Sequence, residues 1–324
     1  MNRILKVLTS LGRGPVNSIR HMAVLCGWPY ETTRRWIGKL GSLDMKRSFA
    51  QWVLRRWADD QEYVVVAVDP TYLKGFEEGI LVACLVVQDG RAVPLYWERF
   101  SWSQMDKERE GLYSRNTFQR NFVLRLKELV YPRKLVLIAD REFGRRSFLK
   151  FLKKKGIYWV IRHPKHSWPP PCGEGIAAHN AKQPSEPYLL SFRLPSEEMN
   201  PVFLYLKRMT IEETFRDAKT GFLLTRLIGR VKREDVKRGL IFLVFAALAF
   251  TMAVAQELRD SPDKDFLLSL SLPLTKGLRG LIKRGYYSTT YLGRLCLTLM
   301  GGAVPDITLT APRTCNEIRM TWGF

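Results

Sequence analysis

The chain has 324 residues, a formal net charge of +21 and a pI near 10.0. Its apolar fraction of 46% is ordinary for a globular protein, so we expect one large domain with appendages or a few small ones. The surplus of positive charge indicates a polyanionic partner, and nucleic acid is the first candidate. The five cysteines are scattered without paired spacing, which argues against a disulfide framework and favours a reducing cytoplasm.

One apolar run, from Gly239 to Ala255, could be mistaken for a membrane span. Its uncharged length is at the lower limit for crossing a bilayer, and charged residues flank both ends. A single late span also fits poorly with so basic a chain, so we predict a buried core helix. Lys6 and Arg13 interrupt the apolar residues near the N-terminus, which is not typical of a signal peptide. We therefore expect a cytoplasmic protein with no membrane partner.

Residues 1–60 are predicted to form a basic helical region. Two short helical stretches, 17–26 and 30–40, are separated by Gly27-Trp28-Pro29, and Pro29 is suited to begin the second helix. This pattern is compatible with a helix-turn-helix whose second helix contacts DNA, although paired basic helices are also common without that role. The candidate DNA contacts on the second helix are Arg34, Arg35 and Lys39.

Residues 61–260 are predicted to form an α/β domain. Apolar runs predict strands at 62–68, 79–87, 92–98, 134–139, 157–162 and 188–194, and helices are predicted at 113–129 and 145–155. The Asp89-Gly90 pair predicts a hairpin turn, and Gly156 is expected to end the second of these helices. A Pro- and Gly-rich stretch marks a small insertion at about 163–200, interpreted as a loop followed by a strand. Residues 261–324 are predicted to be a helical and irregular C-terminal region that contributes to dimerisation.

Two of the predicted strands end in aspartate. The strand at 62–68 leads into Asp69, with Pro70 expected to terminate it, and the strand at 134–139 leads into Asp140. Considered alone, Asp69 could form a turn and Asp140 could cap the helix that follows.

The segment 205–219 is predicted to be one helix because it contains good helix formers and no Gly or Pro. At about 100° per residue, Tyr205, Arg208, Glu212 and Lys219 lie within an arc of roughly 60°, whereas Glu213 points about 80° or more away. A carboxylate surrounded by basic side chains at the edge of a hydrophobic core is typical of a site that binds a metal ion and a phosphate group. The alternative is a solvated helix face with i,i+3 and i,i+4 ion pairs.

The order β-β-β-α-β-α-β-α, with carboxylates after the first and fourth strands and on a later helix, resembles the RNase H-like fold. The local motifs are VAVDPTYL around Asp69, IADREFGR around Asp140, and Y-x2-R-x3-E-x6-K over residues 205–219. Together they resemble a DDE transposase of the IS4 type over about residues 64–255. The resemblance implies a mixed sheet flanked by helices, with Asp69 and Asp140 at the same end of adjacent strands.

The resemblance further implies that Asp69, Asp140 and Glu212 are catalytic ligands of two Mg²⁺ or Mn²⁺ ions, which prefer oxygen donors. The implied contacts to DNA phosphates are Tyr205, Arg208, Lys219 and Arg141. The implied partners are double-stranded DNA, as transposon terminal inverted repeats and target DNA, and a second copy in a homodimer. Trp168 could stack on a flipped base, as an aromatic of the insertion does in relatives, although here the insertion is short.

Three other functions are weighed against this one. A transposase-derived DNA-binding protein that no longer cuts would conserve the fold, and another RNase H-like nuclease, such as a resolvase, would lack the Tyr-Arg-Glu-Lys spacing. A glycosidase with paired carboxylates fits poorly with the net charge of +21. A zinc site could use His163, His166, Cys172 and His179, but their spacing matches no common template.

Overall fold

The computed structural model describes residues 3–13, 16–73, 78–87, 91–101, 114–180, 183–229 and 231–260. These divide into two compact units. The first takes its described residues from Met1–Val53, Asp89–Val93 and Thr214–Phe324, and the second from Leu54–Gln88 and Pro94–Glu213. The predicted boundaries at residues 60 and 260 stay predictions. The predicted C-terminal region, 261–324, and the turn at Asp89-Gly90 lie outside the described residues.

A seven-stranded mixed sheet forms the centre of the second unit, with the strand order β3-β2-β1-β4-β5-β7-β6. The strands are β1 (Tyr63–Tyr72), β2 (Glu78–Leu85), β3 (Val93–Ser101), β4 (Lys134–Ala139), β5 (Tyr158–Arg162), β6 (Glu174–Ala178) and β7 (Tyr188–Arg193). β1 pairs antiparallel with β2 and parallel with β4, and β4 pairs parallel with β5. This arrangement confirms the predicted α/β class and is consistent with an RNase H-like fold.

The middle of the sheet is apolar on both faces. In β1, Val64, Val66, Ala67 and Val68 are almost completely buried, as are the Leu, Val and Ile residues of β4. Continuous β-branched and aliphatic runs of this kind are expected where helices cover both faces of parallel strands. The pairing register sets Val68 beside Ala139, so that Asp69 and Asp140 each follow the last residue of the parallel ladder.

Two predictions about the strands are wrong in detail. Pro70 does not terminate β1, which continues to Tyr72 while Pro70 pairs with Leu81 of β2. Beyond Val68, β1 has no partner on the β4 side among the described residues, and proline is tolerated on a strand with one side open. The insertion is also more than a loop and one strand, because β6 pairs antiparallel with β7 at the edge of the sheet.

The described helices are α1 (Arg3–Arg13), α2 (Ile19–Cys26), α3 (Tyr30–Leu40), α4 (Leu43–Trp57), α5 (Arg115–Val130), α6 (Arg146–Lys154), α7 (Pro201–Lys207), α8 (Met209–Arg216), α9 (Leu224–Gly229) and α10 (Glu234–Asp260). Gly156 follows α6 with a positive φ of 65°, as its position in the sequence predicts. The single helix predicted over 205–219 is wrong. Arg208 interrupts it between α7 and α8, and a π-helical turn, Asp217–Gly221, ends it.

The first unit is built on α10. This is the one described helix long and apolar enough to span a membrane, and 94% of its most apolar window is buried within the protein. The burial agrees with the predicted core helix. Phe242 packs edge-on against Phe49 of α4, with ring centroids 5.9 Å apart.

The backbone of α10 passes very close to α3. A Cβ atom at Gly239 would overlap the carbonyl oxygen of Ile37, so this crossing requires glycine. The buried side of α3 consists of Thr33, Trp36, Ile37 and Leu40. The opposite side, which includes Thr32, Arg35 and Lys39, is exposed.

Candidate active site

The site begins where the parallel strands β1 and β4 lose their pairing. Asp69 is the first residue of β1 beyond the ladder, and its side chain is only 16% exposed. Asp140 follows β4 and caps a 3₁₀ turn, Arg141–Phe143, by accepting a hydrogen bond of 2.6 Å from the backbone N–H of Arg141. The capping role anticipated for Asp140 is therefore present, and it leaves the second carboxylate oxygen, Oδ2, outside the cap.

Arg208 connects the first aspartate to the glutamate. Its Nη1 donates to Asp69 Oδ2 at 3.1 Å, and its Nη2 donates to Glu212 Oε1 at 3.2 Å. The Arg208 side chain is 8% exposed, whereas that of Glu212 is 46% exposed. One buried guanidinium group thus joins two carboxylates that are far apart in the sequence.

Tyr205 brings the second aspartate into the same group. Its hydroxyl is 3.5 Å from Asp140 Oδ1, at the outer limit of a hydrogen bond, and its ring lies 5.6 Å below the Arg208 guanidinium carbon. Burial raises the pKa of Tyr205 to about 12, so its hydroxyl stays protonated and can donate at neutral pH. Tyr205 and Glu212 both contact Arg208 across the helix break, so three of the four residues of the predicted arc are together.

Burial also dominates the electrostatics of Asp69. Its pKa is raised to about 7, mainly by desolvation, with further increases from Asp140, Glu212 and Glu142, and Arg208 opposes them. A carboxyl group that titrates near neutrality in a cleft of like charges is typical of a functional site. Negative charge concentrated in this way favours the binding of a cation.

The three carboxylates supply oxygen donors alone, the ligand chemistry that Mg²⁺ and Mn²⁺ prefer. Within the described ranges, no three His, Cys, Asp or Glu side chains lie close enough to one another to hold a metal ion as they stand. The carboxylates are instead linked through Arg208 and Tyr205.

A cavity of about 470 Å³ adjoins Asp140, because Arg141 and Glu142 form part of its wall. Arg162 and Lys165 are also in the wall, and Arg162 forms an ion pair of 3.5 Å with Glu186. The side chains beside the site that the sequence reasoning missed are Glu142, Arg162, Lys165 and Tyr188.

Tyr188 connects this cavity to the carboxylates. Its ring packs against Tyr205 at 5.3 Å between centroids, and the Arg162 guanidinium lies 5.4 Å from the Tyr188 centroid. Of the missed residues, only Glu142 had a signal in the sequence, since it is a carboxylate two positions after Asp140. The partners of Arg162 and Tyr188 depend on the pairing of β5 with β7, which spacing alone does not reveal.

The remaining predicted residues are on other elements of the chain. Lys219 is in the π-helical turn, half-buried, and belongs to the first unit. Trp168 packs on the edge hairpin, since a Cβ added to Gly175 would lie 2.9 Å from its ring. On α3, Arg34 forms an ion pair of 2.7 Å with Glu31, whereas Arg35 and Lys39 are exposed.

The family model described as the transposase DDE domain matches residues 112–250, a little under half of the chain. The matched stretch includes Asp140, Tyr205, Arg208, Glu212 and Lys219, and begins after Asp69. A search of curated proteins gave no match. The match of residues 112–250 to a transposase DDE domain supports a transposase function for this protein.

Proposed function

We propose that this chain is a DNA transposase of the IS4 type. The observation that carries the proposal is the meeting of Asp69, Glu212 and Asp140 around Arg208 and Tyr205, from three separate segments of the chain. The order of the sheet strands and the domain match over residues 112–250 support it. The net charge of +21 is suited to a DNA substrate.

In this proposal Asp69, Asp140 and Glu212 hold two Mg²⁺ or Mn²⁺ ions. The bound ions would supply an activated water molecule and would stabilise both the attacking and the leaving oxygen of a phosphodiester. The protein contributes position and charge, because phosphoryl transfer requires neutralisation of charge more than a protein nucleophile. The products would be a cut transposon end and a 3′-hydroxyl that attacks the opposite strand or target DNA.

Four side chains are proposed to hold the phosphates around the cut. Arg208 and Lys219 supply positive charge, the protonated Tyr205 hydroxyl donates a hydrogen bond, and Arg141 is exposed directly beside Asp140. Two copies of the chain would hold the two transposon ends together.

We also propose that α3 contacts DNA outside the cut. It follows α2 after Gly27, whose φ of 68° ends that helix and allows the turn. Its buried side packs in the first unit, and its exposed side carries Arg35 and Lys39 one turn apart. Arg34 is a weaker candidate because Glu31 already binds its guanidinium group.

The test uses a supercoiled plasmid that carries the gene with its own genomic flanks as candidate ends. Wild type is compared with Glu212→Gln and with the matched control Glu213→Gln, in Mg²⁺, Mn²⁺ or EDTA. We expect metal-dependent cutting at the flanks, lost in Glu212→Gln and retained in Glu213→Gln. If the wild type binds the flanks but does not cut them in either metal, the protein is a DNA-binding descendant of a transposase.

A further inference from the structure

The guanidinium group of Arg208 binds the carboxylate oxygens that a divalent ion would need. It donates to Asp69 Oδ2 at 3.1 Å and to Glu212 Oε1 at 3.2 Å. The residue is only 7% exposed, so these contacts are poorly screened by solvent. Arg208 and a metal ion therefore compete for the same two side chains.

The hydrogen-bond donors of the Arg208 guanidinium group are not all satisfied by the described residues. Its Nε is buried and has no hydrogen-bond partner among the described residues. Besides Glu212, Nη2 contacts the sulfur of Met209 at 3.8 Å, which is a weak acceptor. A ligand that offers several anionic oxygens to one planar guanidinium group would hold Arg208 better, and a DNA phosphate is such a ligand.

We infer that Arg208 is a built-in cation that leaves Asp69 and Glu212 when a DNA phosphate binds it, so that DNA binding and metal binding strengthen each other. This inference rests on the proposed function. Before DNA binds, the positive charge of Arg208 partly neutralises the carboxylates and lowers their affinity for a divalent ion. After DNA binds, the same charge is directed to the substrate and the carboxylates are released.

The coupling is reciprocal, because a ligand that raises the affinity of a second ligand is itself bound more tightly in its presence. Arg208 would thereby restrict the loaded metal centre to protein that already holds DNA. A free transposase would be protected from unproductive cutting.

The test is a calorimetric titration with Mn²⁺ at constant ionic strength, with and without a short DNA duplex. The heat of Mn²⁺ binding to the duplex alone is subtracted. Wild type is compared with Arg208→Gln, which removes the charge, and Arg208→Lys, which keeps a charge but cannot bridge two carboxylates equally well. The matched control is Arg99→Gln, since Arg99 is a partly buried arginine paired with Glu78 in the same unit. Circular dichroism and thermal unfolding verify that each variant is folded.

Without DNA, we expect Arg208→Gln to bind Mn²⁺ at least about tenfold more tightly than wild type, because one positive charge has left the site. Arg208→Lys should lie between them, and Arg99→Gln should match wild type. DNA should tighten Mn²⁺ binding in wild type and should have little effect in Arg208→Gln.

Two outcomes overturn the inference in distinguishable ways. If Glu212→Gln and Asp69→Asn weaken Mn²⁺ binding but Arg208→Gln does not tighten it, Arg208 does not compete with the metal ion, although the metal site is supported. The same conclusion follows if DNA tightens Mn²⁺ binding equally in wild type and in Arg208→Gln. If no form binds Mn²⁺ through these carboxylates, with or without DNA, the inference and the metal-dependent function both fail.

Discussion

Two buried regions of this protein are built in opposite ways. In the first unit, α10 crosses α3 through glycine and apolar side chains, and its apolar window is 94% buried. In the second unit, the largely buried side chains of Tyr205, Arg208 and Asp69 bring a hydroxyl, a guanidinium group and a carboxylate together, and Glu212 adds an exposed carboxylate. Burying apolar surface stabilises a fold, whereas burying charge costs free energy unless every charge is paired. The contrast indicates that the crossing of α10 and α3 serves stability, and it agrees with the chemical role proposed for the charged region.

The largest expected effect comes from removing one charge of the second region. Asp69→Asn should reduce cutting at transposon ends by at least about a hundredfold, because a carboxylate proposed to hold the catalytic metal ions is lost. Single-turnover cleavage in Mg²⁺ measures the effect. The control is Asp59→Asn, since Asp59 is an exposed acid that pairs with Arg133 on the same unit. Equal losses in the two variants would contradict a specific role for Asp69.

At the crossing of α10 and α3, the free energy of unfolding should depend on side-chain volume and not on charge. Gly239→Ala should lower the free energy of unfolding by about 1–3 kcal/mol, because the added methyl group overlaps the Ile37 carbonyl. A glycine-to-alanine change inside a helix normally stabilises it, so the sign is informative. The measurement is chemical unfolding followed by circular dichroism.

Gly38→Ala, on the other helix of that crossing, is the matched control. The atom nearest to an added Cβ there is Oδ2 of Asp235, at 2.7 Å, which is the end of a side chain and not backbone. Gly38→Ala should leave the free energy of unfolding nearly unchanged or raise it. If Gly239→Ala also leaves it unchanged, the two backbones do not approach each other as closely as described.

The charged region should make stability depend on pH. The pKa of Asp69 is about 7 in the folded protein, against about 3.9 for an unperturbed aspartate. The folded state therefore holds this proton more tightly, and the stability it contributes is present at low pH and lost as pH rises from about 4 through 7. In EDTA, Asp69→Asn should become increasingly more stable than wild type across that window.

Thermal unfolding of both proteins between about pH 4.5 and 8 measures this difference. A difference that is constant with pH would show that Asp69 ionises normally in the folded protein. If the stability advantage of Asp69→Asn over wild type became smaller as pH rises, the pKa of Asp69 would be lowered in the folded protein and not raised.

The smallest expected effect is at α3. Replacing Arg35 or Lys39 with alanine should weaken DNA binding a few-fold and reduce its salt dependence, because each removes one phosphate contact. Arg34→Ala should have less effect, because Glu31 already neutralises Arg34. Fluorescence anisotropy with labelled end DNA at several salt concentrations distinguishes them. A larger loss in Arg34→Ala would mean that another surface contacts the DNA.

Much of the second unit could be predicted from the sequence, because its central strands are continuous apolar runs. The same runs located Asp69 and Asp140, since both follow the last buried residue of parallel neighbours. β6 was missed because four of its five residues are exposed and it has no apolar pattern. Its position depends on pairing with β7, which no local signal specifies.

The contacts of Arg208 show the same limit within the site. Its ion pair with Glu212 follows from the i,i+4 spacing and could be predicted. Its bond to Asp69 joins residues that are 139 positions apart and depends on the whole sheet. The helix break at Arg208 was also missed, because no glycine or proline marks it and tertiary packing overrides a favourable helix propensity.

Affinity cleavage would locate the metal ion on the polypeptide chain. Fe²⁺ replaces Mg²⁺ in the protein bound to end DNA, and ascorbate with peroxide then generates hydroxyl radicals that cut the polypeptide chain beside the ion. We expect fragments that end near Asp69, Asp140 and Glu212, suppressed by excess Mg²⁺ and absent in Asp140→Asn. Fragments that map elsewhere, or that persist unchanged in Asp140→Asn, would contradict a metal centre built from these three carboxylates.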